Sequence, residues 1–140
     1  MDDVNRRSAM TLGLTMAVAA PLVALATPAA AEMYGADVGK EIMPGIRQVE
    51  LGEWPVNFGG YTKAVANDYI IAPGMGFPEE AMKNDMLCQM MEGELQITLD
   101  GNLFAGKTGH VFSCVVGMTE QDMNEGSVPA IMRVIDLFAA

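Results

Sequence analysis

Short apolar segments alternate with glycine and proline along most of this 140-residue chain. The breaks fall at Gly45, Gly52, Gly59-Gly60, Pro73-Gly74, Gly93, Asp100-Gly101, Gly106 and Gly126, and no segment between them has the period of a long amphipathic helix. Glycine supplies the backbone angles that tight turns need, and proline removes a ladder donor, so this spacing implies many short strands in an antiparallel all-β domain. The expected strands are Gly45–Leu51, Tyr61–Val65, Asp68–Ala72, Asp85–Met91, Leu95–Leu99, His110–Val116 and Ala130–Phe138. Asp100-Gly101 is the pair that closes a tight hairpin, which places Leu95–Asn102 at a hairpin end, and Glu92-Gly93-Glu94 is a second turn signal.

The N-terminus follows different rules. Met10–Ala31 carries no charged side chain and ends in Ala29-Ala30-Ala31, a small-residue site that export peptidases accept, so residues 1–31 read as a removable signal peptide and the mature protein as periplasmic or extracytoplasmic. Arg6-Arg7 resembles a twin-arginine signal, although Ala9 and Met10 stand where that pattern carries Phe and Leu; general secretion is the alternative route. An uncleaved anchor is the competing reading of the same apolar run. Pro21, Pro28 and the Ala-x-Ala ending favour cleavage, and with it no stable membrane association.

The leader holds as many acids (Asp2, Asp3) as bases (Arg6, Arg7), so its removal leaves the net charge of −10 unchanged. A surface of that sign repels nucleic acid and anionic headgroups, which argues against both as partners. What remains after residue 31 suffices for one core and is too short for two. Residues 32–60 are expected to form a lead-in, flexible over Glu32–Gly39, followed by a first strand; residues 61–140 form the barrel.

Gly74, Glu80, Met82, Met86 and Gly93 have the spacing of the first motif of the cupin superfamily, G-x5-H-x-H-x3-E-x6-G. Gly109, Val115, Gly117, Glu120 and Asn124 have that of its companion, G-x5-P-x-G-x2-H-x3-N. The chain thus resembles a small single-domain cupin. The resemblance implies a jelly-roll β-barrel and, because cupin-like domains commonly pair, a homodimer, for which Tyr34, Trp54, Phe58 and Tyr61 offer an aromatic surface. The family's metal-binding histidines fall at Glu80, Met82 and Glu120 and its metal-binding glutamate at Met86, so no conventional metal cofactor is expected. His110 is the sole histidine and takes an outward position in the second motif.

Side chains two apart on a strand share a face. If Met86 points inward as its family counterpart does, so do Cys88 and Met90, and by the same parity Met118, Glu120 and Asp122. The expected pocket is lined by Met82, Met86, Cys88, Met90 and Met118, with Asn124 from the second motif and Glu80 and Glu120 near the mouth. Three readings stay open. Methionine, flexible and unbranched, fills an irregular core; Met82, Met86 and Cys88 form a soft site for monovalent copper; or the pocket takes a small organic ligand oriented by carboxylates. A binding or accessory protein is the preferred function. The alternative is a metal-independent lyase or isomerase in which Glu80 and Glu120 perform acid and base steps. The resemblance places Cys88 and Cys114 on neighbouring strands, where an oxidising compartment permits a disulfide, with buried free thiols as the alternative.

Overall fold

A computed structural model describes residues 30–140, so the expected leader lies outside it apart from Ala30 and Ala31. The described chain is all-β, and its strands form two antiparallel sheets. One sheet contains, in spatial order, β1 (Lys40–Met43), β2 (Ile46–Phe58), β3 (Tyr61–Ile71), β10 (Ala130–Ala139), β5 (Asp85–Glu92) and β8 (Val111–Cys114). The other contains β4 (Glu80–Ala81), β9 (Thr119–Met123), β6 (Glu94–Leu99) and β7 (Asn102–Lys107). The ladders stop at β1 and β8 in the first sheet and at β4 and β7 in the second. The expected barrel is therefore an open pair of facing sheets, because β4 and β8 are too short to join them into a cylinder.

Strand β10 organises the larger sheet. It pairs with β3 along one edge and β5 along the other, and its alternation serves both faces. Met132 and Val134 enter the main core between the sheets with Ile71, Leu95, Ile97 and Phe112. Ile131 and Ile70 instead pack with Ala31 beneath the N-terminal segment.

That segment is strapped down, contrary to the flexible lead-in expected from its composition. The Glu92 carboxylate accepts from the backbone N–H groups of Glu32 (3.0 Å) and Met33 (2.8 Å). The Tyr34 hydroxyl donates to Asp68 at 2.6 Å, and the Arg47 guanidinium donates to the carbonyls of Gly35 and Val38. Asp68 is fully buried and also receives a bidentate pair of bonds from Arg133, its cross-strand neighbour, at 2.8 and 2.9 Å. Composition suggests a loose lead-in because its anchors, Asp68, Glu92 and Arg133, lie far away in sequence.

Several strand limits also differ from expectation. β3 runs unbroken where two segments were expected, because the polar Asn67 at the presumed break is satisfied by Gln48 Nε2 at 2.9 Å. β2 continues past Gly52 through a register shift. Pro55 lies where β2 is an edge strand, since β1 covers only its Ile46–Gln48 end and β3 alone pairs with it there. The Asp100-Gly101 hairpin joins β6 to β7, with Leu99 opposite Asn102 and positive φ at both turn residues (46° and 79°). Strand β7 escaped notice in the sequence because of Gly106. There a Cβ would come within 2.5 Å of Ile97 Cδ1, so the strand gives up a side chain to let Ile97 and Met90 pack against it.

Asp68→Ala removes the shared acceptor of Arg133 and Tyr34, and urea unfolding should show a loss of about 2–4 kcal/mol. A loss no larger than that of an exposed acid-to-alanine control would show that the strap contributes little.

Candidate functional site

The site is built on β9. Its residues Thr119-Glu120-Gln121-Asp122-Met123 alternate so that Glu120 and Asp122 point between the sheets, with 5% and 2% of their surfaces exposed. The Pro73–Phe77 segment is zipped to this strand: Asn124 N donates to Met75 O at 2.8 Å and Asp122 N to Phe77 O at 3.2 Å. Glycine is required at position 76, where a Cβ would lie 1.9 Å from the Asp122 carbonyl oxygen. This close approach swings Phe77 and Pro78 over the acids as one wall of a cavity.

The opposite wall comes from the larger sheet. Tyr69 on β3, Met86 on β5 and Met132, Val134 and Asp136 on β10 face the cavity, and Met82 and Glu80 complete its rim. The Tyr69 and Phe77 rings meet edge to face at 5.3 Å. The cavity is open to solvent on one side and has a volume of about 150 Å³; its lining is mostly apolar, and all its ionisable lining groups except Tyr69 are carboxylic acids.

Behind the acids lie two thiols. Cys88 on β5 and Cys114 on β8 are each 1% exposed. They are free, with no disulfide between them, and sit diagonally across the β5–β8 ladder, with Cys114 opposite Met86 and Cys88 opposite Phe112. The Cys114 thiol donates to Glu120 Oε2 at 3.0 Å. The donor atoms of Cys88, Cys114 and Glu120 all lie within 4.8 Å of one another. Asp122 Oδ1 is sealed from solvent without a hydrogen-bond partner.

Burial and the neighbouring Glu120 push the Asp122 carboxyl up to about 9, and burial raises Asp136 as well. A hydrogen bond with Cys114, burial and the charge of Glu120 push the Cys88 thiol up.

The residues singled out from sequence divide into groups. Met82, Met86, Glu80 and Glu120 line the cavity, and Cys88 lies behind it. Glu80 and Glu120 are opposed across the β4–β9 ladder, but their surroundings differ: Glu120 is buried, whereas the Glu80 side chain is 64% exposed and 3.8 Å from Lys83. Met90 packs at the far end of the core beside Gly106, and Met118 packs against the core outside the cavity lining. Asn124 is a loop anchor: its amide donates to the carbonyls of Ile71 and Val128, both at 2.9 Å, and accepts from Gly126 N at 3.0 Å. His110 sits beside Phe104 and Phe112, away from the acids. Tyr34 is held at Asp68, apart from Trp54, Phe58 and Tyr61, so the aromatic group expected from sequence is split. Sequence reasoning missed Tyr69, Phe77 and the β10 residues, although Met132, Val134 and Asp136 have the spacing of one strand face.

A conventional cupin metal centre does not fit the positions where the family holds it. They offer two thioethers, one solvent-facing carboxylate and one buried carboxylate, with no imidazole.

No described family profile and no curated protein matches this chain. Solved structures do. KdgF from a Halomonas species superposes with a TM-score of 0.59 at 12% identity, covering 69% of this chain and 83% of its own. An RmlC-like cupin from Shewanella frigidimarina gives 0.59 at 16% identity, covering 70% and 80%. The Cupin_2 domain of an XRE family transcriptional regulator from Enterobacter cloacae gives 0.56 at 15% identity, covering 69% and 99%. The chain therefore has the cupin fold.

A carboxyl whose folded pKa is raised binds more protons when folded than unfolded, so stability falls as pH rises from its ordinary value toward the folded one. The charged and titratable groups facing Asp122 are Glu120 on its own strand, Glu80 on β4, Cys88 on β5 and Asp136 on β10. The melting temperature should drop between about pH 5 and about pH 9, and Asp122→Asn should flatten that slope; an unchanged slope in the variant would assign the effect elsewhere. Asn124→Ala leaves two carbonyls without their donor and should cost about 2–3 kcal/mol in urea unfolding.

Proposed function

We propose that this is an exported, periplasmic protein of cupin fold that binds a small organic molecule with an apolar body and a cationic, hydrogen-bond-donating head. The observation that carries this reading is the cavity of about 150 Å³ whose apolar walls end on buried carboxyl groups with no basic side chain in the lining. Export is supported by the charge-free run Met10–Ala31, its Ala29-Ala30-Ala31 ending and the preceding Arg6-Arg7.

The cavity fixes the size of the ligand. A cavity of about 150 Å³ accommodates a molecule as large as benzene, so the body is one ring or a short branched chain. Tyr69, Phe77, Met82 and Met86 supply the contact surface, and the thioethers adapt to an imperfect fit. The acids select the head. An ammonium group can donate to the Glu120 and Asp122 carboxyl groups that line the cavity, whereas a carboxylate would meet like charge in a low-dielectric site. Glu80 and Asp136 at the rim extend the same preference outward.

Benzylamine, benzyl alcohol and benzoate share a ring and differ in the head, so their binding to the mature protein, followed by NMR chemical-shift titration, tests the reading. Benzylamine should bind with a Kd of about 1 mM, as a ligand of this size achieves. Benzyl alcohol should bind more weakly and benzoate not measurably, and Met86→Trp should abolish the benzylamine response by filling the cavity. Benzoate binding as well as benzylamine, or benzylamine binding that survives Met86→Trp, would overturn it.

A further inference from the structure

Buried acids ordinarily pair with a base or hold a metal. Glu120 and Asp122 have neither: the ion pairs among the described residues, Lys63–Glu53, Lys83–Glu80 and Arg133–Asp68, engage other carboxylates. What surrounds the two acids is sulfur. Cys88 and Cys114 face them from adjacent strands, and the donor atoms of both thiols and Glu120 gather within 4.8 Å of one another. Asp122, two residues along β9 on the same face, brings a sealed oxygen with no partner.

We infer that Cys88, Cys114, Glu120 and Asp122 form a binding site for a divalent cation of the zinc type, on the core side of the cavity. Two sulfurs and two carboxylate oxygens are a four-donor set that suits a tetrahedral zinc ion, whereas monovalent copper favours thiols and thioethers over carboxylates. Bond lengths of about 2.0–2.3 Å require donors about 3.3–3.8 Å apart. The Cys114–Glu120 contact of 3.0 Å and the 4.8 Å limit on the cluster bracket that spacing for Cys88, Cys114 and Glu120; Asp122 lies outside the cluster on the same face of β9 and turns toward it to supply the fourth donor. The donors come from β5, β8 and β9, so a bound cation ties the two sheets together where β4 and β8 leave them open.

The site is distinct from the histidine–glutamate centre usual for the fold. It shares only the Glu120 position with that centre, and its thiols lie deeper in the core. It shares Glu120 and Asp122 with the ligand cavity but adds two thiols that do not line it, so cation binding and ligand binding are read separately.

Titrating the purified, reduced full chain with cobalt(II) alone and then with zinc(II) tests the inference. Cobalt should bind with one ion per chain and give an intense near-ultraviolet thiolate-to-cobalt band with tetrahedral visible bands, all bleached by zinc. Cys88→Ser and Cys114→Ser should each remove most of the near-ultraviolet intensity. Glu120→Gln and Asp122→Asn should weaken cobalt binding about tenfold or more while keeping the thiolate band. Circular dichroism reports folding, and if a cysteine variant does not fold, the two carboxylate variants decide. A titration without the thiolate band, or cobalt affinity unchanged in both carboxylate variants, overturns the site. Benzylamine binding without cobalt binding removes this inference and leaves the ligand pocket standing; the reverse result removes only the pocket.

Discussion

The two-sided burial of β10 is the constraint on which the rest of the structure depends. A strand paired along both edges has no backbone freedom left, and period-two alternation commits each side chain to one face. Here one face carries Met132, Val134 and Asp136 toward the cavity, while the other carries Ile131 and Arg133 toward the N-terminal segment. A one-residue slip would put Arg133 into the core and Val134 under the strap. The bidentate Arg133–Asp68 pair penalises that slip, so an ion pair on the outer face sets the register on which the inner face relies.

The inner face departs from what a hydrophobic core requires. Of the acidic side chains at two successive inward positions of β9, Asp122 has its proton affinity raised by burial and by Glu120, and one of its oxygens is left unpaired. Such an arrangement costs stability and is retained where something compensates it. The cavity and the thiol cluster are two places where compensation can enter, one from the solvent side and one from the core side. In both, the absence of a basic side chain among the lining residues leaves cationic character to the bound species.

Much of the fold was legible because it rests on local signals. The Asp100-Gly101 hairpin, the apolar strands β5, β6 and β10 and the motif glycines each announce themselves within a few residues. What was hidden depended on distant partners. Strand β9 is absent from the strands expected by periodicity because its inward positions are Glu120 and Asp122, which inverts the usual pattern. Asn67 reads as a break because its partner Gln48 lies on another strand. Motif spacing singled out Glu120, which lines the cavity, and Asn124, whose amide instead anchors a loop. Parity along β5 placed Met86 and Cys88 on the inward face, but parity cannot say how deep a side chain sits, which is why Met90 belongs to the opposite end of the core.

Strand β8 is four residues long, lies at the sheet edge, and carries Cys114 at its end with Val115 and Val116 more than half exposed beyond it. Local openings span free energies from near zero up to that of global unfolding, and a four-residue strand paired along one edge has few bonds to break. Fraying of β8 draws Cys114 away from Glu120 and uncovers Cys88 while the β3–β10–β5 ladder stays intact. Access to the sealed thiols would therefore depend on the opening of one short edge strand rather than on unfolding of the core.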